Sequence, residues 1–172
     1  PGFNPYPARA GLPETDPQLP VGALPEEDRL DLTHLPAYAI DDEGNQDPDD
    51  ALSLDGDRLW VHVADVAALV PPGSDMDREA CSRGSNQYMP ERIVSMLPEA
   101  ITVRLGLGLQ EVSPALSFGF LCNAAGELSD ICIRRTLVRV QRLTYDWVDG
   151  RIDEPPFCDM EAMVERFRQR RH

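Results

Sequence analysis

Residues 51–65, ALSLDGDRLWVHVAD, alternate apolar and polar side chains on both sides of Asp55-Gly56. A side-chain period of two is what a β-strand with two unlike faces requires. Leu52 and Leu54 mark one strand, and Leu59, Val61 and Val63 mark the next, with His62 on the opposite face. Gly accepts a positive φ without a Cβ penalty, so Asp-Gly between two such runs signals a hairpin. A second hairpin is read across residues 115–141, ALSFGFLCNAAGELSDICIRRTLVRVQ, turning at Ala125-Gly126. On this pattern His62 is a structural histidine rather than a catalytic one. Arg134, Arg135, Arg139 and Arg142 decorate the outgoing strand, as a solvated face or as an RNA-facing stripe.

Helical signals are fewer. In PPGSDMDREACSRGSNQ, Ser74 suits an N-cap, and Asp75 and Asp77 occupy a first turn where the helix dipole favours them. A helix over about 75–83 ending at Gly84 follows. QYMPERIVSMLP reads as an extended, proline-bounded segment carrying Tyr88. In CDMEAMVERFRQRRH, Met160, Met163, Val164 and Phe167 recur at helical spacing and predict a core-facing helix. Residues 1–36 hold eight prolines and little periodicity, which reads as an extended arm. The predicted organisation is a proline-rich linker or arm at 1–30 and one domain at 31–172. Its class is α+β, a mixed or antiparallel sheet with flanking helices.

Composition removes several functions. A chain of 172 residues that is 42% apolar is long enough for one core and buries about 70% of its unfolded surface. No apolar run approaches the roughly 18 residues of a membrane span, and Pro1 onward has no signal-peptide pattern. A soluble, cytoplasmic protein without membrane contact is expected. Cys81, Cys122, Cys132 and Cys158 form no C-x-x-C pair, which favours reduced thiols over disulfides or zinc. With only His34, His62 and His172, any chemistry rests on carboxylates. The net charge of −14 is local: residues 1–57 carry −12 and residues 58–172 only −2, so it does not exclude a nucleic-acid partner.

Much of that charge lies in DDEGNQDPDDAL, residues 41–52, with five aspartates, one glutamate and no basic residue. Two carboxylates about 5 Å apart repel by roughly 3 kcal/mol at an effective dielectric near 20, and by under about 1 kcal/mol in bulk water. A solvated loop tolerates such a group; a partly buried one needs a cation or raised pKa values. Asp41 closes the apolar run AYAI, and Pro48 holds Asp47 extended. A turn over residues 42–46 lets Asp41 face Asp47, Asp49 and Asp50. Oxygen donors alone select magnesium, manganese or calcium over zinc. The loop is no EF-hand: counted from Asp41, its sixth and twelfth positions are Gln46 and Leu52. A cation socket and a solvated acidic loop both fit the spacing.

DLTHLPAYAIDDEGNQDPDDALSL followed by LWVHVADVAALVPPGSDMDREACSRGSNQYMPERIVSMLP resembles the opening half of the catalytic domain of the ribonuclease II/R (RNB) family. The resemblance runs in order from about Asp31 to Tyr145, through D-x5-D-x-D-D, V-H-V-A-D-V, Y-M-P and M-L-P. It implies a 3′→5′ exoribonuclease, processive on single-stranded RNA, using magnesium with manganese as a substitute, and releasing nucleoside 5′-monophosphates. It implies Asp41, Asp47, Asp49 and Asp50 as the catalytic aspartates, with Asp41, Asp49 and Asp50 as metal ligands. Tyr88 matches the tyrosine that meets the 3′-terminal nucleotides; without the resemblance it would read as a packed aromatic. Flanking helices would wall an RNA channel.

The family's later S-P-x-R-R-Y segment is not found after Tyr145, nor are aromatic-basic strands of oligonucleotide-binding barrels in residues 1–30. The resemblance therefore implies partners in the intact protein: the remaining part of the same catalytic domain and RNA-binding barrels. Without an arginine for developing phosphate charge, a large loss of rate is expected of this chain by itself. The alternative is a catalytically inactive RNB-like scaffold that binds RNA or another protein.

Overall fold

The computed structural model describes residues 13, 15–89 and 92–170. Five strands close into a barrel in the order β1-β2-β3-β6-β7. They are β1 (Leu30–Asp41), β2 (Asp50–Asp55), β3 (Arg58–Ala64), β6 (Ser113–Cys122) and β7 (Leu128–Thr144). Both predicted hairpins are present: β2 meets β3 with Asp55 opposite Arg58 around Gly56 (φ +58°), and β6 meets β7 with Cys122 opposite Leu128. All pairs are antiparallel except β1–β7, which is parallel and closes the ring. The mixed sheet expected from sequence is thus a mixed barrel.

Barrel closure settles which strand face is the core. Ala37, Ala39, Ala51, Ser53, Trp60, His62, Ala115, Ser117, Thr136 and Val138 are buried, and by strand alternation they line the bore. Five strands leave a narrow bore, so most of these residues are small. Trp60 fits because position 119 is glycine: a Cβ there would lie 2.6 Å from the indole ring. The leucines that mark the first hairpin face outward. Leu59 joins Cys122, Met160 and Met163 in a second cluster, with Leu52, Leu54, Phe120 and Phe167 packed on it. That outer cluster is covered by the C-terminal helix α4 (Phe157–Arg170). Each such buried side chain contributes about 1.5–3 kcal/mol. Val164, expected in the apolar stripe of α4, is 47% exposed; Phe157 takes the additional core position.

Four of the buried polar residues of the bore form one connected chain. His62 Nε2 lies 2.7 Å from Ser53 Oγ, His62 Nδ1 lies 2.7 Å from Ser117 Oγ, and Ser117 Oγ lies 2.6 Å from Thr136 Oγ1. Thr136 donates in turn to the Ala115 carbonyl at 3.3 Å. The chain spans β2, β3, β6 and β7. Burial pulls the imidazole pKa down to about 4, so the ring is neutral at pH 7, one nitrogen donating and the other accepting. His62 is structural, as its place on the strand suggested.

The chain divides into two compact units, Pro1–Glu26 with Val66–Val103, and Glu27–Asp65 with Arg104–His172. The second holds the barrel. At its beginning, buried Arg29 bonds Glu27 (2.8 Å) and Asp65 (2.7 Å), pinning the approach to β1 against the end of β3. The first unit contains α1 (Asp75–Arg83), capped by Ser74 and ended by Gly84 (φ +77°) as the sequence predicts. It also contains the β4–β5 ribbon (Gln87–Tyr88 with Ile93–Val94). The described arm residues pack into this unit: Asp16 accepts from the Ser95 amide at 2.6 Å, and Arg83 donates to the Thr15 carbonyl at 2.8 Å. Two helices carry no clear sequence signal, α2 (Glu99–Leu105) and α3 (Tyr145–Asp149). All four cysteines are free thiols. No helix of the described residues is long and apolar enough to cross a membrane.

Candidate active site

Asp41 ends β1, opposite Thr144 of β7, and Asp50 begins β2, opposite Val63 of β3. The ladder continues one step beyond β2, where the Asp49 carbonyl accepts from the Ala64 amide at 2.8 Å. The acidic segment is therefore the connection between two adjacent antiparallel strands at one barrel rim. That topology turns a run of like charges into two facing groups.

The connection is tied down at several backbone points. Gly44 takes φ +85°, and the Asn45 amide donates to the Asp42 carbonyl at 3.2 Å. Asn45 Oδ1 accepts from the Asp47 amide at 3.1 Å, an Asx turn that sets the approach to Pro48. Pro48 is buried, and its carbonyl accepts from the Leu107 amide at 2.8 Å. Arg142 of β7 reaches across to the Asn45 carbonyl. The main chain is fixed while the acidic side chains stay at the surface: Asp49 and Asp50 are exposed, and Asp41 and Asp47 half-buried.

The Asp50 carboxyl is held above its ordinary pKa, first by partial burial, then by the negative charges of Asp49 and Asp41. Asp49 and Asp41 thus lie within electrostatic reach of Asp50, although Asp50 would alternate away from Asp49 along an ideal strand. The Asp47 backbone amide is engaged by Asn45. Among the described residues, no three His, Cys, Asp or Glu side chains stand close enough to hold a metal ion as placed. The donor set itself fits a hard divalent ion, being all carboxylate oxygen with repulsion on Asp50 that a cation would relieve.

Tyr88 lies in the other compact unit, on β4, with its ring 73% exposed. It is not a core aromatic. The Y-M-P element continues into Pro90, outside the described residues. Of the β7 arginines, Arg135 pairs with Glu27 (3.3 Å) and Arg139 with Glu111 (3.0 Å), while Arg142 serves the acidic connection. The last role was not legible in sequence, where the four looked alike.

A comparison with known families matches the RNB domain over residues 29–168. The chain belongs to the RNB-domain family. This RNB chain is similar to an uncharacterized ribonuclease of Synechocystis, at 39% identity over 132 residues covering 73% of this chain and 20% of that one. Among solved structures it is similar to Mycoplasma genitalium RNase R in complex with double-stranded RNA. That match has a TM-score of 0.66 and 25% identity, covering 81% of this chain and 26% of the other. Yeast Ssd1, described as a pseudonuclease, shares the fold with a TM-score of 0.73 at 24% identity, over 92% of this chain and 21% of that one. The RNB chain spans about a fifth of the length of such relatives.

Proposed function

We propose that this chain carries the acidic part of a metal-dependent exoribonuclease site. In the intact protein that site would act 3′→5′ and processively on single-stranded RNA in the cytoplasm, releasing nucleoside 5′-monophosphates. The observation that carries the reading is the placement of Asp41 at the end of β1 and of Asp49 and Asp50 at the start of β2, on one barrel rim, with the Asp50 carboxyl held above its ordinary pKa first by partial burial and then by Asp49 and Asp41. The similarity to RNase R, solved in complex with double-stranded RNA, supports RNA as the polymer bound.

Asp41, Asp49 and Asp50 would hold magnesium or manganese, with Asp47 supporting the site. When bound, such an ion supplies Lewis-acid polarisation of a phosphate oxygen and acidifies water near neutral pH. The chain's own part is positional. β1 carries one side of the site and β2 the other, and the barrel fixes their separation. Carboxylates by themselves repel an RNA backbone, so the acidic connection has a role toward phosphate only with a cation between them. Tyr88 offers an exposed ring on which a base can stack, a contact tolerant of sequence. The remaining part of the catalytic domain would supply positive charge for the transition state, and RNA-binding barrels would supply grip.

The test uses the intact protein with 5′-labelled single-stranded RNA and magnesium, beside an Asp49→Asn variant. Progressive shortening from the 3′ end, abolished by EDTA and by Asp49→Asn, is the expected result. RNA binding without shortening in either protein would overturn the nuclease reading in favour of a scaffold.

A further inference from the structure

We infer that Arg142 is a positioning residue for the carboxylate group, acting through the Asn45 backbone. This rests on the proposed metal site and adds a residue to its support. Asn45 is the hub of the acidic connection, using its amide toward Asp42, its side-chain oxygen toward Asp47 and its carbonyl toward Arg142. Arg142 stands on β7 opposite Ala39, two residues before the Asp41–Thr144 pair. One strand therefore backs Asp41 through the sheet and holds the connection through a guanidinium.

The arginine stem has a prepared bed. Gly108 sits at φ +81°, and a Cβ there would come within 3.0 Å of both Arg142 Cγ and the Val140 carbonyl oxygen. The preceding residue, Leu107, donates to the Pro48 carbonyl at 2.8 Å. Residues 107–108 thus hold the Pro48 side of the connection directly and leave room for the side chain that holds the Asn45 side. The arrangement fixes the backbone between Asp41 and Asp47, while the pairing with β3 fixes that of Asp49 and Asp50. Supporting hydrogen bonds of this kind typically govern metal affinity by 10- to 100-fold.

The inference separates cleanly from a simple charge effect, because the two predict opposite signs. Arg142 is a cation near a cation site, so by Coulomb's law its removal strengthens metal binding. As a positioning residue, its removal weakens it.

The experiment titrates the purified intact protein with manganese and follows free Mn²⁺ by EPR, for the unsubstituted protein, Arg142→Met, Arg142→Lys and Asp50→Asn. Folding of each variant is checked by circular dichroism. Expected results are loss of binding in Asp50→Asn, about tenfold weaker binding in Arg142→Met, and recovery to within about threefold in Arg142→Lys, which keeps a charged donor. Unchanged or tighter binding in Arg142→Met, with Asp50→Asn still defective, overturns the positioning role and leaves the metal site standing. No binding by the unsubstituted intact protein overturns both. Should Arg142→Met not fold, Arg142→Gln takes its place, keeping a neutral stem: about tenfold weaker binding supports the positioning role, and unchanged or tighter binding overturns it.

Discussion

The barrel bore and the acidic rim treat polar groups in opposite ways. In the bore, His62 is fully buried, yet both ring nitrogens have hydroxyl partners, and the ring is neutral. At the rim, the Asp50 carboxyl is held above its ordinary pKa first by partial burial and then by the like charges of Asp49 and Asp41. The bore is satisfied and specifies the fold; the rim carries a repulsion that the fold tolerates and a ligand would relieve. Depth alone would have singled out the histidine as functional. The balance of charge points to the aspartates.

Three measurements would break or sharpen that contrast. The largest effect is expected from His62→Leu, which fills similar volume but removes the Ser53 hydroxyl's imidazole partner and leaves Ser117 bonded to Thr136. With about 1–3 kcal/mol for a buried group left unsatisfied and about 1 kcal/mol for the second lost hydrogen bond, a loss of roughly 3 kcal/mol is expected in urea unfolding. A loss under about 1 kcal/mol would remove the bore network from the list of structural determinants.

Next is the response to acid. The folded-state pKa of His62 is lowered from 6.5 to about 4. Between those values the unfolded chain binds the proton and the folded one does not. Its contribution is full above pH 6.5 and disappears as pH falls to about 4, amounting to about 3 kcal/mol at 1.36 kcal/mol per pH unit. Unfolding midpoints across pH 7 to 4, with imidazole shifts followed by NMR, check it. A ring that titrates near pH 6.5 in the folded protein would contradict the network.

The smallest effect carries the opposite sign. Asp50 has a raised folded-state pKa, so its contribution is present at low pH and lost as pH rises through that value. Asp50→Asn in EDTA at pH 7 should raise stability by a few tenths of a kcal/mol, a small gain because solvent screens an exposed group. Calorimetry resolves it. A loss above about 1 kcal/mol would instead place Asp50 among the fold's supports.

What the sequence revealed follows from how local each signal is. Ser74 and Gly84 bound α1 because caps are made within one turn, and Gly56 marks the first hairpin because its turn is two residues long. The Asp41–Asp50 segment was visible as a charge anomaly between two apolar runs. Barrel closure was not visible, because parallel pairing such as Ala37 with Val140 joins distant parts of the chain and leaves no local pattern. The inner face of β3 was hidden for the same reason: a narrow bore prefers His62 and small residues, while the leucines are buried outside under α4. Arg142 could not be told from its neighbours until the connection it serves was folded beside it.

The packed bore has one more consequence. A tube stoppered by an indole and an imidazole is no conduit, so polymer threading through its axis is ruled out, and any strand must pass along its exterior. Structural identity and chemical capacity are consequently written in different residues. Under the proposed reading, erasing the acids would remove the activity and leave the scaffold standing, whereas a slip in the stopper would cost both.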